Sequence, residues 1–274
     1  MKPSIKDYVA SHDRSKNYLL PDDRPIPFLI EAGLMTKEGK LKSSGRAKFR
    51  QINRYLEFLK DILPELPVDR PLRIIDFGCG KSYLTFALHH WLTEIEQRDA
   101  DIVGLDREAS VIDHCRSVVK KLSLEHLSFE QGEIAGYQPE GPVDLVISLH
   151  ACDTATDDAL IQAVAWDAKV ILAVPCCQHE LFSQLHNETL QPLLSHGILK
   201  ERFAAMATDT LRALALEAVG YDTQLVEFID MEHTPKNILL RAVKGQGSEG
   251  RSHAEFESFR ASLGAPQLRI EKLL

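Results

Sequence analysis

The stretch LRIIDFGCGKSYLTFAL, residues 72–88, decides the fold of this chain of 274 residues. It begins with a short apolar run, which is typical of a buried β-strand, and ends with apolar residues at helical spacing. Gly78 and Gly80 stand between the two halves. A strand, a glycine turn and a helix in this order predict the first unit of a parallel sheet, with a ligand-binding turn at the carboxyl end of the strand.

Short apolar runs alternate with helical segments downstream. The runs are DIVGLD (101–106), LSFE (127–130), VDLVISL (143–149), KVILAVP (169–175), TQLVEFID (223–230) and NILLRAV (237–243). The helical segments are 84–95, 111–122, 157–166 and 211–219. Nearly unbroken apolar strands are covered on both faces, and the last two runs follow each other closely enough for an antiparallel pair. We predict a Rossmann-like, doubly wound α/β fold with a mainly parallel, seven-stranded sheet.

The chain divides into three parts by pattern. Residues 1–70 carry no clear strand and contain an apolar helix face over 47–63, which predicts an N-terminal helical extension. Residues 71–243 form the sheet domain. Residues 244–274 begin with the glycine-rich KGQGSEGR and are expected to be a linker and a tail that folds back.

Composition excludes several classes of protein. The chain is 44% hydrophobic and 26% charged, as in ordinary globular domains, so it is neither collagen-like nor disordered. No apolar run approaches the ~20 residues of a membrane span, and the first 18 residues contain no signal-peptide core, so we expect a cytoplasmic protein without a membrane partner. The five cysteines form no CxxC pair, which argues against a disulfide framework.

One segment has a charge opposite to that of the whole chain. The net charge is −8, yet residues 37–54 hold seven basic residues and one acid, a local charge of +6. This segment predicts contacts with RNA phosphates. The alternative is a solvated helix face that pairs with acids elsewhere. The proposed RNA-binding residues are Arg46, Lys48, Arg50 and Arg54.

Three kinds of ligand are considered for the glycine turn. A phosphate P-loop needs glycine where Ile75 stands, and a dinucleotide turn needs a small residue where Tyr83 stands. S-adenosylmethionine needs neither. Asp106, at the end of the next strand, is placed to accept hydrogen bonds from ribose hydroxyls, although it could also cap the next helix. The predicted cofactor-binding residues are Asp76, Gly78, Gly80, Lys81, Asp106, Glu133 and His150.

Two further motifs follow neighbouring predicted strands. LHACDTATDDAL (149–160) and VPCCQHEL (174–181) bring a polar cluster to one edge of the sheet: His150, Cys152, Asp153, Cys176, Cys177 and His179. A zinc site is the rival interpretation, but adjacent cysteines rarely bind one ion and the ligand spacing is not standard, so no metal is expected. The cysteines could also be small buried fillers.

These motifs resemble a known family. With GRAKFRQINRYLEFL (45–59), they are similar over residues 45–243 to class I S-adenosylmethionine-dependent methyltransferases with a DFGCGKSYLT signature. That group includes eukaryotic tRNA acceptor-stem ribose 2′-O-methyltransferases. The chain shows none of the Cys/His zinc-finger modules that flank the tRNA enzymes, so the resemblance implies the domain chemistry and not their substrate.

We therefore expect an S-adenosylmethionine-dependent methyltransferase acting on a hydroxyl or base atom of RNA. Alignment and deprotonation of the acceptor are the main tasks, and no metal is required. Lys81 or His150 could act as base, and a Cys176 or Cys177 thiolate could add to a pyrimidine ring. Alternatives are a small-molecule methyltransferase and a cofactor-binding scaffold without activity. The predicted catalytic residues are His150, Asp153, Lys81, Cys176 and His179.

Overall fold

The computed structural model describes residues 18–149, 151–228, 237–245 and 249–274. The strands in these ranges are β1 Leu72–Phe77, β2 Ala100–Asp106, β3 Leu127–Gln131, β4 Leu145–Ser148, β5 Val170–Ala173, β6 Tyr221–Glu227 and β7 Ile238–Lys244. These seven described strands form one sheet in the order β3-β2-β1-β4-β5-β7-β6. Strands β1 to β5 are parallel, and β7 is antiparallel to both its neighbours. The predicted doubly wound, mainly parallel, seven-stranded α/β fold is confirmed.

Helices connect the strands and cover both faces of the sheet. They are α1 Pro27–Glu31, α2 Arg46–Ile62, α3 Tyr83–His90, α4 Ala109–Leu122, α5 Thr154–Ala165, α6 His179–Gln184, α7 Gln191–Leu194, α8 Gly197–Ala218 and α9 Glu249–Ser262. A π-helical turn, Trp91–Ile95, extends α3. Within the described ranges, no helix combines the length and apolarity that a membrane span needs.

Two apolar clusters form the core, one on each face of the sheet. Alternate residues of β1 point to opposite clusters, with Ile74 in one and Ile75 and Phe77 in the other. The first cluster holds the buried faces of α1 to α4, and the second holds those of α5, α8 and α9. Burial on both faces explains why the central strands are almost entirely apolar.

Helix α2 joins the N-terminal segment to this core. The predicted apolar face is buried at Phe49, Ile52, Leu56 and Leu59, and the helix packs against α3. It ends at Ile62, just before Pro64, because proline cannot donate a helical backbone hydrogen bond. Because α2 packs against α3, it runs beside the glycine turn that joins β1 to α3.

The C-terminal part departs from the sequence expectation in two places. Helix α8 begins at Gly197, well before the predicted start at residue 211. Four of its nine buried residues are small alanines, while Ile198 and Met206 are exposed, so its hydrophobic periodicity is weak. Helix α9 packs against α8 with Phe256 fully buried, so the expected tail contributes to the core.

Candidate functional site

The glycine turn lies at the carboxyl end of β1. Gly78 and Gly80 have φ angles of 65° and 53°, a region that favours glycine because it carries no Cβ. The backbone N–H groups of Gly78 and Cys79 both donate to the carbonyl of Leu105, at 2.8 and 3.1 Å. These bonds fix the turn against the end of β2.

The space beside two of the loops is open. A Cβ built on Gly80 meets no protein atom within 4 Å, and the same holds for Gly132 after β3. A ligand can therefore approach the backbone closely at both positions. This observation fits the predicted placement of a cofactor across the carboxyl ends of β1, β2 and β3.

Asp76 is the buried carboxyl group of the site. It is 4% exposed, and its Oδ2 accepts a 2.5 Å hydrogen bond from the hydroxyl of Thr85. Burial, with a smaller contribution from the nearby Asp106 carboxylate, raises the pKa of Asp76 to about 7. A cationic ligand would favour the ionised form, which makes Asp76 a receptor for positive charge.

A cavity of about 170 Å³ opens in front of this carboxyl group. It is smaller than the ~300 Å³ or more of a typical small-molecule site, so it can hold only part of a ligand of the size of S-adenosylmethionine. The cavity is lined by Lys48, Asp76, Cys79, Lys81, Ser82, Tyr83, Leu84 and Leu149.

The Asp106 carboxylate accepts hydrogen bonds from two backbone segments. Its Oδ2 accepts from the Gly80 N–H and its Oδ1 from the Glu108 N–H, both at 3.0 Å. Each carboxylate oxygen can accept more than one bond, so the predicted contacts with ribose hydroxyls are compatible with these two. Glu133 is exposed in the loop after β3.

Replacement of Asp106 by alanine is expected to weaken S-adenosylmethionine binding by about 10- to 100-fold, because charge-assisted hydrogen bonds contribute ~1.5 to 3 kcal/mol. Calorimetric titration measures this loss. The matched control is Asp101→Ala, at the opposite end of the same strand. Unchanged affinity in a folded Asp106→Ala variant would exclude a role in cofactor binding.

Lys48 lies at the cavity and not on the exposed basic face of α2 that the sequence predicts. The sequence predicts an exposed, RNA-binding Lys48, but its side chain is half-buried, lines the cavity and lies 5.3 Å from the centre of the Tyr83 ring. Burial lowers the pKa of its ammonium group. Its helical position explains the difference, since residues 48, 52 and 55 share the buried face of α2.

The other predicted RNA-binding residues stay on the outer face of α2. Arg46 and Arg50 are exposed and flank a groove of about 390 Å³ that also includes Lys40. Arg54 forms a 2.7 Å ion pair with Glu57 on its own helix and stacks over Phe58. Arg46 and Arg50 are therefore better placed than Arg54 to contact a polyanion.

The loops after β4 and β5 meet, as expected from neighbouring strands. The Cys152 and Cys176 sulfurs lie 3.0 Å apart, and the Asp153 Oδ1 accepts from the Glu180 N–H at 3.2 Å. His179 is exposed at the start of α6, and the predicted His150 lies outside the described residues. Burial and the two neighbouring thiols raise the pKa of Cys176 to about 12, which disfavours a thiolate at neutral pH.

A buried ionic network behind these loops was missed from the sequence. The fully buried Arg212 of α8 donates to Asp157 at 2.7 and 3.1 Å and to Asp209 at 3.1 Å. It also donates to the carbonyl of Asp153 at 2.9 Å. Asp153 has φ 53°, an unusual angle for a residue other than glycine, so Arg212 holds a strained turn in place.

Comparisons with known proteins identify relatives of this chain. The model of a family described as "Methyltransferase domain" matches residues 47–184. The glutathione S-transferase C-terminal domain-containing protein of Homo sapiens is 23% identical over 247 residues, covering 78% of this chain and 36% of the relative. The chain thus spans about a third of the length of that relative.

Two other matches are shorter or more distant. The trans-aconitate 2-methyltransferase of Methylobacterium nodulans is 31% identical over 88 residues, covering 32% of this chain and 30% of that protein. Among solved structures, an SAH-bound methyltransferase of Podospora anserina superposes with a TM-score of 0.46 at 15% identity, covering 82% of this chain and 88% of that chain.

Proposed function

Because the chain belongs to the methyltransferase-domain family, we propose that it is an enzyme that transfers a methyl group from S-adenosylmethionine to RNA. The observation that carries the methyl-transfer part is the buried Asp76 beside the glycine turn, in a cavity that Cys79 and Lys81 of this turn also line. The proposal that RNA is the methyl acceptor is supported by the cationic outer face of α2, which lies next to that cavity.

The bound cofactor supplies an activated methyl group on its sulfonium. Asp76 binds the positive charge of the amino-acid part, the turn at Gly78 and Gly80 allows close approach, and Asp106 binds the ribose. The protein then has to align the acceptor with the methyl group and remove a proton. Lys48 is a further candidate for proton removal, since its lowered pKa increases the fraction of neutral amine.

The remaining predicted catalytic residues have proposed roles at the edge of the acceptor site. Lys81 lines the cavity, and Asp153 joins the loops after β4 and β5. His150 and His179 are proposed to bind or deprotonate the acceptor. A covalent role for Cys176 is the weakest of these proposals, because its raised pKa leaves little thiolate.

Incubation with methyl-labelled S-adenosylmethionine and separate pools of RNA, protein and small metabolites tests the proposal. We expect label in the RNA pool and its loss after ribonuclease treatment. Label confined to metabolites would contradict the RNA proposal but keep methyl transfer. No label in any pool and no cofactor binding would contradict both.

Charge reversal of Arg46 and Arg50 to glutamate is expected to weaken RNA binding by about 10- to 100-fold at low salt, because phosphate contacts and counterion release are lost. Cofactor affinity should not change. Lys120→Glu is the matched control, since it reverses an exposed charge at the last turn of α4. Filter binding at several salt concentrations measures the effect. RNA affinity that changes neither with the substitutions nor with the salt concentration would refute the role of α2.

A small carboxylate is the second candidate acceptor. The Methylobacterium relative is a trans-aconitate 2-methyltransferase, and in this chain Lys48 and Lys81 line one cavity. Two amines at the cavity could bind a carboxylate as well as a phosphate. Under this alternative Lys48→Gln would raise the KM for the carboxylate, while charge reversal at Arg46 would leave turnover unchanged.

A further inference from the structure

Three cysteines lie together at the carboxyl ends of β4 and β5. The Cys176 sulfur is 3.0 Å from that of Cys152 and 3.7 Å from that of Cys177. All three sulfurs lie within 4.8 Å of one another. Cys152 comes from the loop after β4 and the other two from the loop after β5, so the cluster exists because these strands are neighbours.

We propose that Cys152, Cys176 and Cys177 form a binding site for a thiophilic divalent cation, with Zn²⁺ as the best match. Zinc–sulfur bonds of ~2.3 Å in tetrahedral geometry place sulfur atoms about 3.8 Å apart. The two sulfur–sulfur distances from Cys176, 3.0 and 3.7 Å, are shorter than this value, and the third lies within 4.8 Å. Small side-chain rotations would therefore bring the three sulfurs to ligand geometry without moving the strands.

The surroundings suit a site with three protein ligands. Cys152 is exposed and the other two cysteines are half-buried, so a fourth position can be filled from solvent. Such an open position is typical of zinc sites that bind a reactant. The loops are already held together by the bond from the Glu180 N–H to Asp153 and by Arg212, which limits the entropy lost on binding.

In the sequence, the adjacency of Cys176 and Cys177 and the non-standard ligand spacing disfavour zinc. The structure adds the 3.0 Å approach of Cys152 from another loop, which supplies a third sulfur ligand without standard spacing. Binding of Zn²⁺ by three thiols releases three protons to solvent and leaves a site with a net charge of −1. The reaction needs no oxidant and no other reactant.

Titration of the reduced full chain with Co²⁺ and Zn²⁺, in the absence of S-adenosylmethionine, tests this proposal. We expect one Co²⁺ per chain with sulfur-to-metal charge-transfer absorption, displaced by Zn²⁺. Cys152→Ser and Cys177→Ser should each weaken Zn²⁺ binding by about 100-fold, because one of three thiolate ligands is lost. Cys115→Ser is the control, since this buried cysteine lies near Ser82 and Gly80, outside the cluster, and affinity should be unchanged.

Five reactive thiols per unfolded chain would show that all cysteines are reduced. If such a sample binds neither Co²⁺ nor Zn²⁺ stoichiometrically, the proposal is overturned. Equal affinity in the native chain and in Cys152→Ser would overturn it as well. Both results are independent of methyl transfer, because neither measurement contains cofactor or acceptor.

Discussion

The Asp76→Asn variant is expected to be more stable than the native chain above pH 7 and to lose S-adenosylmethionine binding. The pKa of this carboxyl group is about 7 in the folded protein, against a usual value of 3.8. Folding therefore retains a proton between these values, and the resulting stability, complete below pH 4, is lost as the pH rises through 7. The difference corresponds to about 4 kcal/mol, which asparagine avoids because it carries no charge to bury.

Urea unfolding at pH 5 and pH 8 measures this effect. The stability gain of Asp76→Asn over the native chain should be larger at pH 8 than at pH 5. The control is Asp69→Asn, which makes the same substitution at an exposed carboxylate. A destabilised variant at pH 8 would show that the ionised carboxyl group stabilises the fold and would contradict the prediction.

Cofactor affinity should depend on pH through the same group. Ionised Asp76 binds the cationic cofactor, so affinity should fall about tenfold for each pH unit below 7. Calorimetry in buffers of different ionisation enthalpy would also detect release of a proton on binding near pH 6. Affinity that is constant between pH 5 and 8 would show that Asp76 does not meet the cofactor's charge.

The Arg212→Leu variant is expected to lose about 3 to 5 kcal/mol of stability, because it leaves two buried acids without their partner. Asp157 and Asp209 are both buried, and burial raises the pKa of Asp209 to about 6 even beside the guanidinium. The loss should therefore grow as the pH rises and these acids ionise. Urea unfolding of the variant at pH 6 and 8 measures it.

Arg269→Leu is the matched control for this prediction. Arg269 also pairs with an acid of α5, Asp158 at 2.7 Å, but the pair is partly exposed. Such a pair contributes at most about 1 kcal/mol, so the two variants should differ clearly. Equal losses of unfolding free energy in the two variants would mean that the buried network contributes no more stability than a surface ion pair.

The Arg212 network also bears on the acceptor site. It binds the carbonyl of Asp153, and Asp209 accepts a hydrogen bond from Gln178 in the loop after β5. Methyl transfer by folded Arg212→Leu should therefore fall more than cofactor affinity. The roles of Lys81, Asp153, His150 and His179 in turnover stay predictions until such variants are assayed.

The sequence alone was enough to predict the sheet, and it also predicts where on that sheet the cofactor binds. Apolar runs, the glycine turn at Gly78 and Gly80 and the helical spacing of α2 are local patterns, and they were sufficient because strand burial and backbone conformation follow from neighbouring residues. The parallel order then placed Asp76, Asp106 and the cysteine motifs at one edge. Helix α8 was underestimated because its buried alanines give little periodic contrast.

Which distant side chains meet depends on how the elements pack in three dimensions. The tertiary structure placed Lys48 in the cavity rather than with Arg46 and Arg50, brought Cys152 to 3.0 Å from Cys176, and buried Arg212 between Asp157 and Asp209. These contacts depend on how helices and loops pack across the sheet, and residues 55 positions apart leave no periodic signal in the chain. Packing therefore decides which charged and thiol groups surround the proposed acceptor site, whereas local sequence pattern predicts where on the sheet that site lies.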